Sequence, residues 1–318
     1  MQINDADIRK QHAAKFSIIS NSGLILLKIA VGIVTASVSI IAEAIHSGID
    51  LIASIIANYS VKKSGEPADS LHPFGHGRIE DISALIEGIL ILFAAWLIFH
   101  EAYDKFAHGV NLTLPGVGVF IMLISSVSNW VISGYLFKVS RETGSSALEA
   151  DGWHLRTDVY TSIAVFAGLS VITLNGLLKG PAWVRYFDPA IAALTALMIV
   201  KAGWDISKTA VMNLADLKIS DNEELAVKQA IEENSDRYVE FHELRTRRAG
   251  PFRYIDLHLV VSRDLHVETA HKLTDHLEED IKAKLPHTDV IIHLEPCEGN
   301  CEACHIKCPT HAHDGDLK

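Results

Sequence analysis

The 318 residues carry 28 Lys and Arg against 39 Asp and Glu, a formal net charge of −11 with histidine neutral. That balance argues against a nucleic-acid partner, whose phosphates call for a basic surface. Hydrophobic residues make up 49% and charged residues 21%, and the mean hydropathy of +0.22 averages an apolar first two thirds with a last third rich in charge and histidine.

Six stretches in the first part are long and apolar enough for a bilayer, which takes about 20 residues of helix. They are 16–34, 39–61, 79–99, 114–139, 147–174 and 189–212. Residues 1–15 are polar and no cleavage-like site follows an isolated apolar core, so the first helix is expected to be retained. Arg9, Lys10, Lys15, Lys62, Lys63, Arg78, Lys138 and Arg141 fall on one side of these helices, against Lys105, Lys179 and Arg185 on the other. The excess of cations predicts a multi-pass protein of the cell (inner or plasma) membrane with both termini cytoplasmic.

The order of elements then changes. Residues 221–234 read as a helix, 238–247 as an alternating strand, and 252–261 as a second strand after the Gly250-Pro251 turn. Residues 267–285 place Ala270, Leu273, Leu277 and Ile281 at helical spacing, and 289–294 close with a strand. This αββαβ order predicts a small α+β domain with its helices on one face of a sheet. About 80 residues make a marginal core, which dimerisation or metal would support. The chain thus divides into a transmembrane part (1–213), a cytoplasmic domain (214–296) and a Cys/His-rich tail (297–318). The tail holds Cys297, Cys301, Cys304 and Cys308, at spacings compatible with zinc, and too few apolar residues to fold without a metal.

The chemistry is concentrated in a repeated pair, His46-x-x-x-Asp50 and His154-x-x-x-Asp158. Positions i and i+4 share a helix face, so each pair offers an imidazole and a carboxylate one turn apart. Two such helices packed together supply the four ligands of a tetrahedral Zn²⁺ site. Charged groups at membrane depth are costly and call for a functional account. Because ligand nitrogens and oxygens bind either protons or metal, such a site exchanges a dication for protons. Intramembrane His and Asp also serve as helix–helix hydrogen-bonding groups, a reading that two matching pairs disfavour.

Residues 37–50 (SVSIIAEAIHSGID), 149–158 (EADGWHLRTD), 69–80 (DSLHPFGHGRIE) and Asp188-Pro189 follow one another in the order found in the cation diffusion facilitator family. The chain resembles that family, in its zinc/proton antiporter branch, over most of residues 10–296. The resemblance implies a homodimer with six transmembrane helices per protomer and a ferredoxin-like cytoplasmic domain. It implies transport-site ligands at His46, Asp50, His154 and Asp158, a loop metal site at Asp69, His72 and His76, and a cytoplasmic metal site at His242, His258, His271, His293 and Glu295. Bacterial antiporters of this branch carry Asp where this chain has His46, and Glu295 stands where Asp is usual. The extra imidazole favours Zn²⁺ and Co²⁺ over harder Mn²⁺.

The expected function is a secondary transporter, not an enzyme, that exports Zn²⁺ from the cytoplasm in exchange for protons, with further Zn²⁺ in structural or regulatory places. Fe²⁺, Co²⁺, Ni²⁺ and Cd²⁺ remain open as cargo. Two other classes fit the same residues: a membrane metal sensor without flux, and an intramembrane metal-dependent hydrolase. The expected partners are a second copy of the chain, the bilayer, divalent ions and protons.

Overall fold

The computed structural model describes residues 5–34, 38–108, 116–177 and 187–298, with a number of helix side chains, that of His46 among them, outside the described set. The backbone forms two compact units that divide after Leu214. The first consists of α1 (Asp5–Val34), α2 (Val38–Ser64), α3 (Arg78–His108), α4 (Gly116–Thr143), α5 (Ser146–Leu177) and α6 (Phe187–Leu214).

This unit is patterned inside out. Ile19, Leu26, Phe93, Trp96, Phe120, Val127 and Leu197 are exposed on its surface, while Ser17, Asn21, Lys28, Asp50, Ser54, Glu87, Asp151 and His154 are buried within it. Lipid is the solvent for which that arrangement is stable. Among the described residues α1, α3, α4 and α6 contain runs apolar enough to cross a bilayer by composition alone. Of the other two, α2 carries Glu43 and Asp50, and α5 carries Asp151, Arg156 and Asp158. Those two helices hold the chemistry.

Small side chains set the distances between helices. The buried face of α2 runs Ala44, Ser47, Asp50, Ser54, Ala57, Val61 and Ser64, a three-and-four spacing of mostly small groups that lets neighbours approach. At the α3–α6 crossing a Cβ on Gly88 would overlap Ser207 Oγ and stand 3.2 Å from Gly203 O. A Cβ on Gly203 would stand 3.1 Å from Gly88 O, so both positions require glycine for this approach. At one end of the bundle Glu80 is fully buried; it accepts from Ser64 Oγ at 2.5 Å and from Ser145 Oγ, and lies 3.4 Å from the Lys10 ammonium. That network ties α1, α2, α3 and the turn before α5.

The second unit is α7 (Asp221–Glu232), β1 (Glu240–Ala249), β2 (Phe252–Val261), α8 (Val267–Lys284) and β3 (Thr288–Pro296). Sheet order is β1-β2-β3, with β1 antiparallel and β3 parallel to the central strand. Ile255, Leu257 and Leu259 of β2 pack with Val227 and Ile231 of α7 and Leu273, Leu277 and Ile281 of α8. Both helices therefore cover one sheet face, as αββαβ order predicts. A capping box of Ser220 and Glu223 starts α7, and Arg253 of β2 grips Glu223 at 2.6 Å. Burial works to raise the Glu223 carboxyl, but Arg253 and the Ser220 amide and hydroxyl outweigh it and hold the group below its ordinary value.

Candidate metal centres

Three clusters of metal-ligating side chains form among the described residues. The first lies inside the helical bundle, where one ligand atom each from Asp50, His154 and Asp158 lies within 4.8 Å of the others. Asp50 comes from α2; His154 and Asp158 come from adjacent turns of α5. His154 Nε2 is 3.1 Å from Asp50 Oδ1, and its buried Nδ1 has no hydrogen-bond partner. Asn129 of α4 approaches Asp158 Oδ2 through Nδ2 at 3.5 Å. The His46 side chain lies outside the described residues.

A cavity of about 340 Å³ opens beside this cluster, with Asn21, Lys28, Ser47, Asp50, Asn129 and Asp158 in its wall. It extends toward the ends of α3 and α5 remote from the first unit's buried Glu80 network, reaching Glu101 and Thr161. Lys28 is buried and donates to Ser47 Oγ at 2.7 Å. A second cavity, about 620 Å³, lies between α3, α5 and α6 and includes Glu149, Trp153, Lys201 and Asp205. Thr157 lines both.

The second cluster is the loop between α2 and α3. Pro73 and Gly75 (φ 79°) prevent a helix, and the chain turns instead around Asp69. Asp69 Oδ1 accepts the amides of Leu71 at 2.9 Å and His72 at 2.6 Å and faces His72 Nδ1 at 3.2 Å. Its Oδ2 lies 3.3 Å from Nε2 of the buried His76. The His72 amide is the largest influence; against partial desolvation, it and then the Leu71 amide and His72 ring hold the Asp69 carboxyl below its ordinary value. An ionised carboxylate and two imidazoles, one of them with both nitrogens lacking a bonded donor or acceptor, make a donor set suited to a borderline dication.

The third cluster shows what sheet register adds. His242 of β1 stands opposite His258 of β2, and His258 opposite His293 of β3, so three imidazoles occupy one rung of the sheet. Their neighbouring ring centroids are 5.4 and 4.8 Å apart. Glu295, two residues along β3, reaches His258 Nδ1 at 2.8 Å and His242 Nε2 at 3.3 Å. Ligand atoms of His242, His258 and Glu295 converge within 4.8 Å. His293 Nε2 stands 3.9 Å from Glu295 Oε1 at the border of this group. His271 is not brought into it; on α8 its Nδ1 lies 3.7 Å from Asp275 Oδ1. Glu243, held at φ 49° by the β-bulge after His242, adds a carboxylate 3.8 Å from His258 that the sequence pattern did not single out. Cys297 is a buried free thiol whose amide extends the sheet by donating to Val261 O at 2.9 Å. Cys301, Cys304 and Cys308 lie outside the described residues.

Sequence reasoning also missed Asn129 and Ser54. Neither stands in a spaced motif; both are placed by which helix faces meet. Asp151, one turn before His154, had a visible signal in its spacing.

A polar, dication-suited cluster inside a lipid-facing helical bundle, joined to a small αββαβ domain, defines a membrane cation transporter with a cytoplasmic domain. Residues 14–215 match the family model described as the cation efflux transmembrane domain, and residues 219–297 match the one described as the cation efflux protein, cytoplasmic domain. The chain belongs to the cation efflux, or cation diffusion facilitator, family. It is 31% identical to the cation-efflux pump FieF of Serratia proteamaculans (strain 568) over 274 residues, covering 86% of this chain and 88% of the relative. FieF of Escherichia coli O1:K1 / APEC matches to the same extent. Transporter sll1263 of Synechocystis sp. is 29% identical over 272 residues, 86% of each chain. A solved structure of CzrB in its zinc form is 38% identical, spans 26% of this chain and 93% of its own, and superposes with a TM-score of 0.25.

Proposed function

We propose that this transporter exports Zn²⁺ from the cytoplasm in exchange for protons, as a homodimer with both termini in the cytoplasm. The observation that carries the reading is the convergence of Asp50, His154 and Asp158 inside the bundle, beside a cavity. Two carboxylates neutralise a dication, and the imidazole selects a borderline metal over a hard one. His46, one turn before Asp50 in α2, is the proposed fourth ligand.

The exchange follows from the ligands themselves. Asp50 and His154 already share a hydrogen bond across 3.1 Å, so a proton lies between two of the ligand atoms. An arriving dication takes over their lone pairs and releases protons; returning protons weaken the hold on the metal. The two cavities that Thr157 lines are the proposed paths from either end, and alternating access between them moves the ion. The loop cluster and the sheet cluster are proposed as Zn²⁺ sites outside the transport path. There metal binding favours one arrangement of the protein over another and so acts on its activity.

The test is zinc flux into proteoliposomes driven by a pH gradient. The expected result is flux in the wild type that collapses in Asp50→Ala and in Asp158→Ala. Wild-type vesicles that bind zinc without moving it would leave a sensor; flux indifferent to both substitutions would place the transport site elsewhere. A competition series with Fe²⁺, Co²⁺, Ni²⁺ and Cd²⁺ fixes the cargo.

A further inference from the structure

The bundle interior holds two carboxyl groups that the dication cluster does not use. Glu87, on α3, is fully buried, and neither of its carboxyl oxygens meets a donor at hydrogen-bonding geometry. Asp151, on α5, is also fully buried; Oδ1 accepts from Ser54 Oγ at 2.9 Å, and Oδ2 has no partner. Ala84 of α3, one turn before Glu87, and Ala150 of α5, next to Asp151 in the chain, pack in one buried cluster, and Asp151 is a like charge acting on Glu87. Ser83, one turn earlier on α3, is a neutral neighbour, and the next residue, Gly88, packs against Gly203 and Ser207 of α6. Around Asp151 stand Ser17 of α1, Ser54 of α2 and, further on, Asp50 and His154.

Two fully buried carboxylates on packed stretches of α3 and α5, with a hydroxyl but no cation among the described residues acting on Glu87, are too costly to coexist. A proton held by the couple removes the repulsion. The balance changes when a dication arrives at His154, one turn from Asp151 on the same helix, because a nearby double positive charge stabilises the second carboxylate.

We propose that Glu87 and Asp151 form a proton-holding carboxyl couple, distinct from the dication ligands, that releases its proton when the Asp50–His154–Asp158 cluster is filled and regains it when the cluster empties. In the releasing step the carboxylic O–H bond breaks, its electron pair stays on the carboxylate, and the proton passes to water. The adjoining cavity between α3, α5 and α6, whose wall includes Ala84 and Ala150, holds that water. The couple adds a proton to the exchange without adding a ligand. This inference rests on the zinc–proton exchange proposed above.

The experiment counts protons moved per zinc ion by full-length protein in liposomes loaded with a pH dye. Glu87→Gln and Asp151→Asn are each expected to lower the ratio by about one proton while leaving zinc affinity, measured by calorimetry, within about threefold of wild type. Glu87→Asp is expected to restore the ratio. An unchanged ratio in both amide variants overturns the couple. Should the amide variants fail to fold, infrared difference spectra of the wild type with and without zinc decide, with Glu87→Asp shifting the band for assignment. Loss of a protonated-carboxyl band that shifts in Glu87→Asp supports the couple, and its absence overturns it. Wild-type zinc flux without proton movement refutes the exchange reading itself, a result separate from either outcome for Glu87.

Discussion

Replacing Asp50 by Asn separates charge from shape at the proposed transport site. The amide occupies the same volume, and its oxygen still accepts from His154 Nε2 across the 3.1 Å gap, so the helix packing is expected to survive. What is lost is one of the two carboxylate charges of the cluster, whose ligand atoms lie within 4.8 Å of one another. Asp50 is 7% exposed, so bulk water does not replace the missing charge. Truncating one partner of a buried charged set costs about 3–5 kcal/mol. The cavity beside Asp50 admits some solvent and argues for the lower end, about 3 kcal/mol, or roughly 100-fold in zinc affinity at about 1.4 kcal/mol per tenfold. Asn129→Ala provides the contrast. Its contact to Asp158 is long, 3.5 Å, and worth about 1 kcal/mol, roughly a fivefold effect. Calorimetric zinc titration of detergent-solubilised protein, with thermal melting as a control for folding, reads both. Asp50→Asn with wild-type affinity and an unchanged melt would refute the assignment of this cluster as the dication site, whatever Asn129→Ala does.

Four other expectations follow from the same structure. Glu295→Gln removes the carboxylate that joins His242 and His258 on the sheet face away from the helices, so zinc binding by the cytoplasmic cluster should weaken about 10- to 100-fold without loss of folding. Calorimetry on a background carrying both Asp50→Asn and Asp69→Asn isolates that site. Asp69→Asn should likewise weaken zinc at the loop while leaving the bundle cluster intact, which X-ray absorption of the loaded protein can count. Gly88→Ala gains about 1 kcal/mol of helix propensity but forces a methyl against Ser207 N and Gly203 O, at 3.1 and 3.2 Å, where overpacking costs about 1–3 kcal/mol. Because two of the obstructing atoms are backbone, a lower melting temperature is expected, and an unchanged or raised one would refute the close α3–α6 approach. Glu223→Gln breaks the largely buried grip of Arg253 and should destabilise the cytoplasmic domain by about 1 kcal/mol at neutral pH. Since the folded Glu223 carboxyl is held below its ordinary value of 4.5, its contribution is complete above that value and disappears as pH falls through the lower folded one. Melts of wild type and variant should therefore converge in acid; a gap that persists there would refute the charge origin of the effect.

Periodicity made much of this architecture legible. Six apolar stretches marked the helical unit because lipid demands an apolar surface of fixed length, a requirement each segment meets alone. The αββαβ order was readable because helix and strand repeats differ, although β1 lies two residues later than its alternation suggested, at 240–249 rather than 238–247. The His-x-x-x-Asp spacing placed each ligand pair on its helix, because adjacent turns are a local property of backbone geometry. Local rules end there. Only the packing of α2 on α5, through the small residues of α2, puts Asp50 3.1 Å from His154. Only strand register sets His242, His258 and His293 on one rung, with His271 outside the converging group, since a shift by one residue would send each side chain to the other face. The stretches that carry Glu87 and Asp151, 64 positions apart, pack together for the same reason: which faces meet is decided by the summed burial of whole helices, and no short run of residues carries that sum.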